Sequence, residues 1–184
     1  NIYAFKELGI NKIISVSAVG SLRADYAPGH IVVPDQVFDF TKDRKRSFFG
    51  DGMVAHISTA EPFCPKLSAQ LVKALQEEDV VVHNGGTYIT IEGPRFSTRA
   101  ESNTFRSWGM SLVGMTAAPE VFLAREAEIC YATMAHVTDY DCWHTSEEPV
   151  SVEMVTNTLS QNTAVAQNAL IRLVDFVSED DGTA

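Results

Sequence analysis

Short β-branched runs alternate with helical segments along this 184-residue chain, and that alternation predicts an α/β domain around a mainly buried sheet. Two observations strengthen it. The apolar run 129–137 reads as a buried strand, and Gly- and Pro-bearing stretches punctuate the chain between its periodic segments. The pattern leaves the strand order open.

Taken in order, residues 1–8 are helix-like and Gly9 marks their end. The run 12–17, Lys-Ile-Ile-Ser-Val-Ser, reads as a strand, and 18–30, with Gly20, Pro28 and Gly29, as a loop. Residues 31–40 return to strand character. Segment 41–52 is basic around Lys42, Arg44, Lys45 and Arg46 and reads as a solvated loop, with an anion site as the alternative. Residues 65–78 form an amphipathic helix with Leu67, Leu71, Val72 and Leu75 on one face and Pro65 in its first turn. Residues 80–92 alternate as strand around a Gly85-Gly86 turn or bulge. A helix over 98–108, a strand over 112–115, a helix over 119–128 and the buried strand follow. The last helix, 151–177, repeats Val152, Val155, Leu159, Ala166, Leu170, Leu173 and Val174 at helical spacing. Residues 1–177 thus read as one domain and 178–184 as a frayed acidic tail.

Composition narrows the function classes. Hydrophobic content of 45% and charged content of 21% fit a globular domain. A net charge of −10 argues against general affinity for nucleic acid or anionic membranes, while leaving room for a small anionic substrate at a local site. No apolar run approaches the roughly 18 residues of a membrane span, and no signal peptide is seen. Cys64, Cys130 and Cys142 have no metal-like spacing and read as reduced thiols of a cytoplasmic protein. Asn1 is not a start methionine and the chain opens in a helix-like segment, so the sequence is expected to begin within a domain.

The residues that could carry chemistry cluster at strand ends, where open α/β sheets collect ligands. Thr138-Asp139-Tyr140-Asp141-Cys142-Trp143 places two carboxylates directly after the buried strand, as a proton donor and a reader of a flat ligand or as an Asp-rich turn. Ser17-Ala18-Val19-Gly20-Ser21 offers hydroxyls and close backbone approach, or a plain tight turn. In the run from Glu92 to Glu101, Phe96 could stack on a heteroaromatic ring, with Ser97 beside it. Thr98 and Glu101 have capping-box spacing, and Arg95 and Arg99 pair with Glu92 in the structural reading of that loop. Gly114-Met115-Thr116 could cover a sugar and donate to an anion, or be a core Met and a helix cap. His56 is ambiguous, and His136, in an apolar strand, reads as a satisfied core histidine. No metal cluster, phosphate-binding Walker loop, dinucleotide glycine motif or serine-hydrolase elbow is present in the sequence.

Together these stretches resemble the trimeric nucleoside phosphorylases, most closely those acting on S-methyl-5′-thioadenosine. Ala60-Glu61-Pro62-Phe63-Cys64-Pro65, Thr90-Ile91-Glu92-Gly93-Pro94-Arg95-Phe96, Met115-Thr116 with Pro119-Glu120, and the 138–143 stretch carry the resemblance in order along the chain. It implies a three-layer fold, a mixed twisted sheet flanked by helices, and reversible phosphorolysis without metal or organic cofactor, inorganic phosphate being co-substrate. It implies that Asp139 protonates or shares a proton with purine N7, that Asp141 faces the 6-amino group and the N7 region, and that Phe96 packs on the base with Ser97 beside it influencing base choice. Met115 and Ala18 would lie against the sugar, Ser17 and Thr116 would donate to phosphate, and Val152 and Val155 would line a 5′-methylthio pocket. A histidine matching His56 reaches a neighbouring subunit's pocket in such trimers. Gly114 stands where some members have asparagine, and the family's leading segment, with a glycine-rich phosphate loop and an Arg-His pair, is expected to be missing. The alternatives are a 6-oxopurine nucleoside phosphorylase and a non-catalytic purine-binding subunit; a nucleoside hydrolase is disfavoured because nothing obvious activates water.

The chemistry of N-glycosidic cleavage agrees with these roles. Negative charge builds on the departing purine, and an acid at N7 neutralises it. Burial and the Asp141 carboxylate are expected to raise the Asp139 pKa, so that the pair divides acid and acceptor duties.

Overall fold

The computed structural model describes residues 1–144 and 152–178. Its elements in chain order are α1 (Ile2–Glu7), β1 (Lys12–Ser21), β2 (Ile31–Val33), β3 (Gln36–Phe40), α2 (Pro65–Leu75), β4 (Val82–Asn84), β5 (Thr87–Ile91), α3 (Arg99–Ser107), β6 (Leu112–Gly114), α4 (Glu120–Glu126), β7 (Cys130–Asp139) and α5 (Val152–Ser178). Among the described residues the strands form one seven-stranded sheet in the order β3-β5-β6-β1-β7-β2-β4. It is mixed: β1 runs parallel to β7, β3 to β5, β5 to β6 and β2 to β4, whereas β1–β6 and β2–β7 are antiparallel.

Alternate residues of the central strand β7 serve the two faces, as the two-residue period of a strand requires. Ala132 and Met134 pack with α2 and α5 through Leu67, Leu71, Leu75, Ala169 and Leu173. Tyr131 packs with α1 and α4 through Ile2, Val121 and Ala124. Helices therefore cover both faces of the sheet, the three-layer α/β arrangement expected.

Several local expectations change. Strand β1 does not stop at Ser17 but runs on to Ser21. Its partners decide this: β7 pairs it along its length and β6 pairs its end, so interstrand hydrogen bonds outweigh the turn preference of Gly20. The run 31–40 is two strands, divided at Pro34, which has no N–H to donate. Across the Gly85-Gly86 turn the chain switches neighbours, β4 lying beside β2 and β5 beside β3 and β6. The capping box forms as the spacing predicts, Glu101 N–H donating to Thr98 Oγ1 and Thr98 N–H to Glu101. The buried face of α5 includes Ala166, Ala169 and Leu173, while Val174 is 65% exposed. Residues 179–184 of the expected tail lie outside the described residues.

The expectation of three reduced thiols is corrected. Cys64 and Cys130 form a disulfide across a separation of 66 residues, and Cys142 is free. Cys64 precedes α2 and its N–H donates to Tyr131 O at 2.9 Å, which sets it beside the start of β7. Spacing along the chain carries no trace of that proximity. Thiol titration of the denatured chain should therefore count one cysteine without reductant and three with it; three in both conditions would mean that the pair is not bonded.

Candidate active site

The carboxyl ends of the parallel pair β1 and β7 lie side by side, and β6 meets the end of β1 from the other direction, with Gly20 opposite Val113. Continuing that antiparallel register puts Thr116 beside Ser17, and their hydroxyls are 2.8 Å apart. Between these ends lies a pocket of about 280 Å³ whose lining includes Ser17, Ala18, Phe96, Ser97, Met115, Thr116, Asp139 and Asp141. Eight of the residues expected at the site from sequence thus share one cavity.

The two carboxylates are held by the backbone around them. Asp141 has a left-handed backbone, φ 47°, in the short 3₁₀ turn Asp141–Trp143 that follows β7. Asp tolerates that conformation better than most residues. Its N–H donates to Asp139 Oδ1 at 2.8 Å, and Thr138 Oγ1 donates to Asp139 Oδ2 at 2.7 Å. Asp139 therefore faces two donors. Asp141 differs: it is 8% exposed, and its Oδ2 is buried without a hydrogen-bond partner among the described residues. Burial pushes the Asp141 carboxyl above the usual carboxylate range, partly opposed by nearby Ser102, the Cys142 backbone N–H and Ser97. The carboxylate pair thus includes one member, Asp141, that burial holds above the ordinary range.

Gly20 makes this packing possible. A Cβ at Gly20 would meet Asp139 Oδ1 at 3.0 Å and the Cβ of Asp141 at 3.2 Å. The register between β1 and β7 also shifts between Val19 and Gly20, bringing Gly20 opposite Asp139.

The far wall is braced from behind. Arg44 donates to Met115 O at 2.6 Å and Ala118 O at 2.8 Å, and pairs with Glu92 at 2.9 Å. The basic segment 41–52 is thus tied down at two arginines, Arg46 pairing with Asp39. The expected pairing of Glu92 with Arg95 and Arg99 is corrected: Arg95 pairs with Glu101, and Arg44 reaches Glu92 across the sheet edge. Donation from the Lys42 N–H, then from Arg44, lowers the Glu92 pKa to about 2. The Glu92 bracket is therefore complete above the ordinary value of 4.5 and is lost as pH falls toward about 2. Arg44→Ala should cost about 1–3 kcal/mol in urea unfolding, because two carbonyls lose their donor; a variant as stable as wild type would show that water replaces the guanidinium freely.

Cys142 Sγ donates to Ser97 O at 3.3 Å and Trp143 Nε1 to Ser21 O at 2.7 Å, so the 3₁₀ turn ties the Phe96–Ser97 loop to the end of β1. Phe96 is 41% exposed at the pocket. His56 and Val152 are exposed and do not line this chain's pocket, and the Val155 side chain lies outside what is described. His136 is buried on β7, as a core histidine should be, but neither ring nitrogen has a hydrogen-bond partner among the described residues. Burial lowers its pKa. Sequence reasoning missed Val16, Ile91, Val113 and, behind the lining, Tyr88, whose strand position carries no chemical signal. Among the described residues no His, Cys, Asp and Glu grouping could hold a metal ion.

The family model described as "Phosphorylase superfamily" matches residues 1–175. The chain belongs to that superfamily. It is 55% identical over 179 residues to the S-methyl-5′-thioadenosine phosphorylase of Geobacter sulfurreducens, covering 95% of this chain and 63% of that protein. It is 50% identical to the enzyme of the same name from Nitrosopumilus maritimus, covering 98% of this chain and 68% of the relative. The chain thus spans about two thirds of the length of these relatives. Among solved structures, a methylthioadenosine phosphorylase from an antarctic soil metagenomic library superposes with a TM-score of 0.92 at 47% identity, over 98% of this chain and 64% of that one. The Schistosoma mansoni methylthioadenosine phosphorylase in complex with adenine superposes with a TM-score of 0.95 at 37% identity, over 100% of this chain and 71% of that one. The nucleoside phosphorylase fold expected from sequence is the fold of this superfamily member.

Proposed function

We propose that this chain carries the nucleoside site of an S-methyl-5′-thioadenosine phosphorylase, releasing adenine and 5-methylthioribose 1-phosphate. One observation carries the reading: a single pocket has a carboxylate pair, Asp139 and Asp141, together with paired hydroxyls, Ser17 and Thr116. A nucleoside spanning it places its base at the carboxylates and its anomeric carbon near the hydroxyls. A phosphate oxygen forms the bond to C1′ as the C1′–N9 bond breaks, and its electron pair passes to the purine. The carboxylate pair enters sharing one proton, which burial favours keeping, and delivers it to N7 from Asp139. Phe96 and Ser97 pack on the base, and Met115 and Ala18 flank the sugar. No step calls for a metal or an organic cofactor.

The 5′ end of the nucleoside belongs, in this reading, to Val152, Val155 and a neighbouring subunit's His56 in a homotrimer. Support comes from the apolar surface around His56: Phe48, Phe49, Met53, Val54 and Ile57 are all at least 37% exposed. Light scattering at micromolar concentration should give three times the chain mass. A stable monomer would remove His56 from the site. Methionine and purine salvage in the cytoplasm is the matching setting, although the Cys64–Cys130 bond withdraws the thiol argument for that location.

The second reading, a purine-binding module without turnover, draws on one feature. Among the described residues lining the pocket there is neither Lys nor Arg, so within them the hydroxyls alone face phosphate. Adenine release from S-methyl-5′-thioadenosine with and without inorganic phosphate separates the readings. Phosphate-dependent release is expected. Cleavage at full rate without phosphate would mean a hydrolase, and binding without cleavage would mean the module.

A further inference from the structure

We propose that Tyr88 is the positioning residue of the phosphate-facing hydroxyls, and that Gly114 is glycine because Tyr88 occupies the space beside it. This rests on the phosphorolytic reading of the pocket. Tyr88 is fully buried on β5 and does not line the cavity. Its Oη lies 3.0 Å from Ser17 Oγ and 3.3 Å from Thr116 Oγ1, and those two are 2.8 Å from each other. Three hydroxyls therefore close a triangle.

Each hydroxyl has one proton to donate and can accept twice. If Ser17 and Thr116 stood alone at 2.8 Å, one would donate to the other and a single proton would remain for an incoming oxyanion. A third hydroxyl behind them fixes where those protons point. Tyr88, buried and outside the cavity lining, has Ser17 and Thr116 as the partners of its hydroxyl among the described residues, so its proton is spent inward. It thereby keeps one internal hydrogen bond when Ser17 and Thr116 both turn their protons outward to phosphate oxygens, and holds the oxygen it donates to in place with that oxygen's own proton aimed away from the phenol. Hydrogen bonds to an anion are stronger than neutral ones, so the rearrangement runs toward the bound state.

Gly114 completes the device. A Cβ there would stand 2.0 Å from Tyr88 Oη and 2.6 Å from Cζ, closer than any contact a side chain accepts. Strand β6 pairs with β5 at Thr90–Gly114 and carries Met115 and Thr116 directly afterwards. The same glycine that admits the phenol therefore lies two residues from one of the hydroxyls it orients. Any side chain at 114 must displace the phenol, and the phenol excludes any side chain at 114.

The test is Tyr88→Phe, which keeps the ring and removes only the hydroxyl. With steady-state kinetics in varied phosphate and varied S-methyl-5′-thioadenosine, KM for phosphate should rise on the order of ten-fold, the usual worth of one hydrogen bond to a charged group. KM for the nucleoside should move by less than about two-fold, since a residue behind the phosphate hydroxyls does not touch the base. Equal changes in both constants would mean general loosening and would overturn the proposal, as would an unchanged phosphate KM. Calorimetric titration of inorganic phosphate into Gly114→Ala, where the phenol is displaced but still present, is the second measurement. Weaker binding is expected there, and wild-type affinity would overturn the proposal even if Tyr88→Phe failed to fold. A wild-type chain that cleaves equally well without phosphate, or binds none, removes the phosphorolytic reading and this inference together. A phosphate-dependent wild type with an indifferent Tyr88→Phe removes this inference alone.

Discussion

Asp139→Asn is expected to lower kcat for phosphorolysis by about 10²–10⁴-fold, the usual worth of a placed acid. The amide matches the carboxylate in shape, and its oxygen can still accept from the Asp141 N–H, now at 2.8 Å from Oδ1. Thr138 Oγ1, which loses an acceptor if the amide nitrogen turns toward it, also lies 3.2 Å from Val19 O and can donate there. The fold should therefore persist while the route by which the pair delivers a proton to N7 is cut. Single-turnover rates at saturating phosphate isolate the chemical step, and a thermal melt checks the fold. A folded variant that retains about a third or more of the wild-type rate would take Asp139 off the proton's route to N7.

Asp141→Asn should change specificity and stability together. The left-handed backbone at φ 47° suits Asn as well as Asp, so the turn should survive. Asp141 Oδ2 is buried and unpartnered among the described residues, which marks it as an acceptor awaiting a donor such as a purine 6-amino group. An amide at that position offers N–H groups and suits a 6-oxo group instead. The ratio of kcat/KM for methylthioadenosine over methylthioinosine should fall by on the order of 10²-fold, because a site built for one hydrogen-bond pattern rejects the other strongly. An unchanged ratio would show that Asp141 does not read position 6.

The stability effect has a definite sign. Burial raises the Asp141 pKa above its ordinary value of 3.8, so the folded chain keeps a proton that the unfolded chain has lost. Stability therefore falls as pH rises from 3.8 through the raised folded value, and levels off above it. Asn has no charge to bury, so the variant should melt higher than wild type at neutral pH and lack that fall. Melting temperatures from about pH 4 to about pH 8 would show it. Parallel curves for the two proteins would mean that the carboxyl is ionised without cost.

Much of this was legible in the chain. The capping box at Thr98 and Glu101, the α2 face of Leu67, Leu71, Val72 and Leu75, and the buried run into β7 all depend on neighbours within a turn or a strand. Local geometry is encoded locally, so periodicity and capping spacing expose it. The site segments were also legible, because Ser, Asp, Met and Phe at strand ends carry a chemical signature that core residues lack. The Cys64–Cys130 bond, the partner of Glu92 and the run of β1 past Ser17 were not legible in the same way. Each depends on which strand lies beside which, and a period of two residues is the same for every neighbour.

The residue order alone settled the alternation of strands and helices, the helix that begins after Thr98, and the strand ends that hold Met115, Asp139 and Asp141; Ser17 lies on a strand that runs on past it. Only the folded chain decided that these four converge on one pocket, that Asp141 is buried enough to hold its proton, and that the Tyr88 phenol lies behind two hydroxyls in the space left by Gly114. The reason is physical: proton affinity and side-chain fit depend on what surrounds a group in three dimensions, and β6, which meets β1 antiparallel, brings together residues separated by about half the chain.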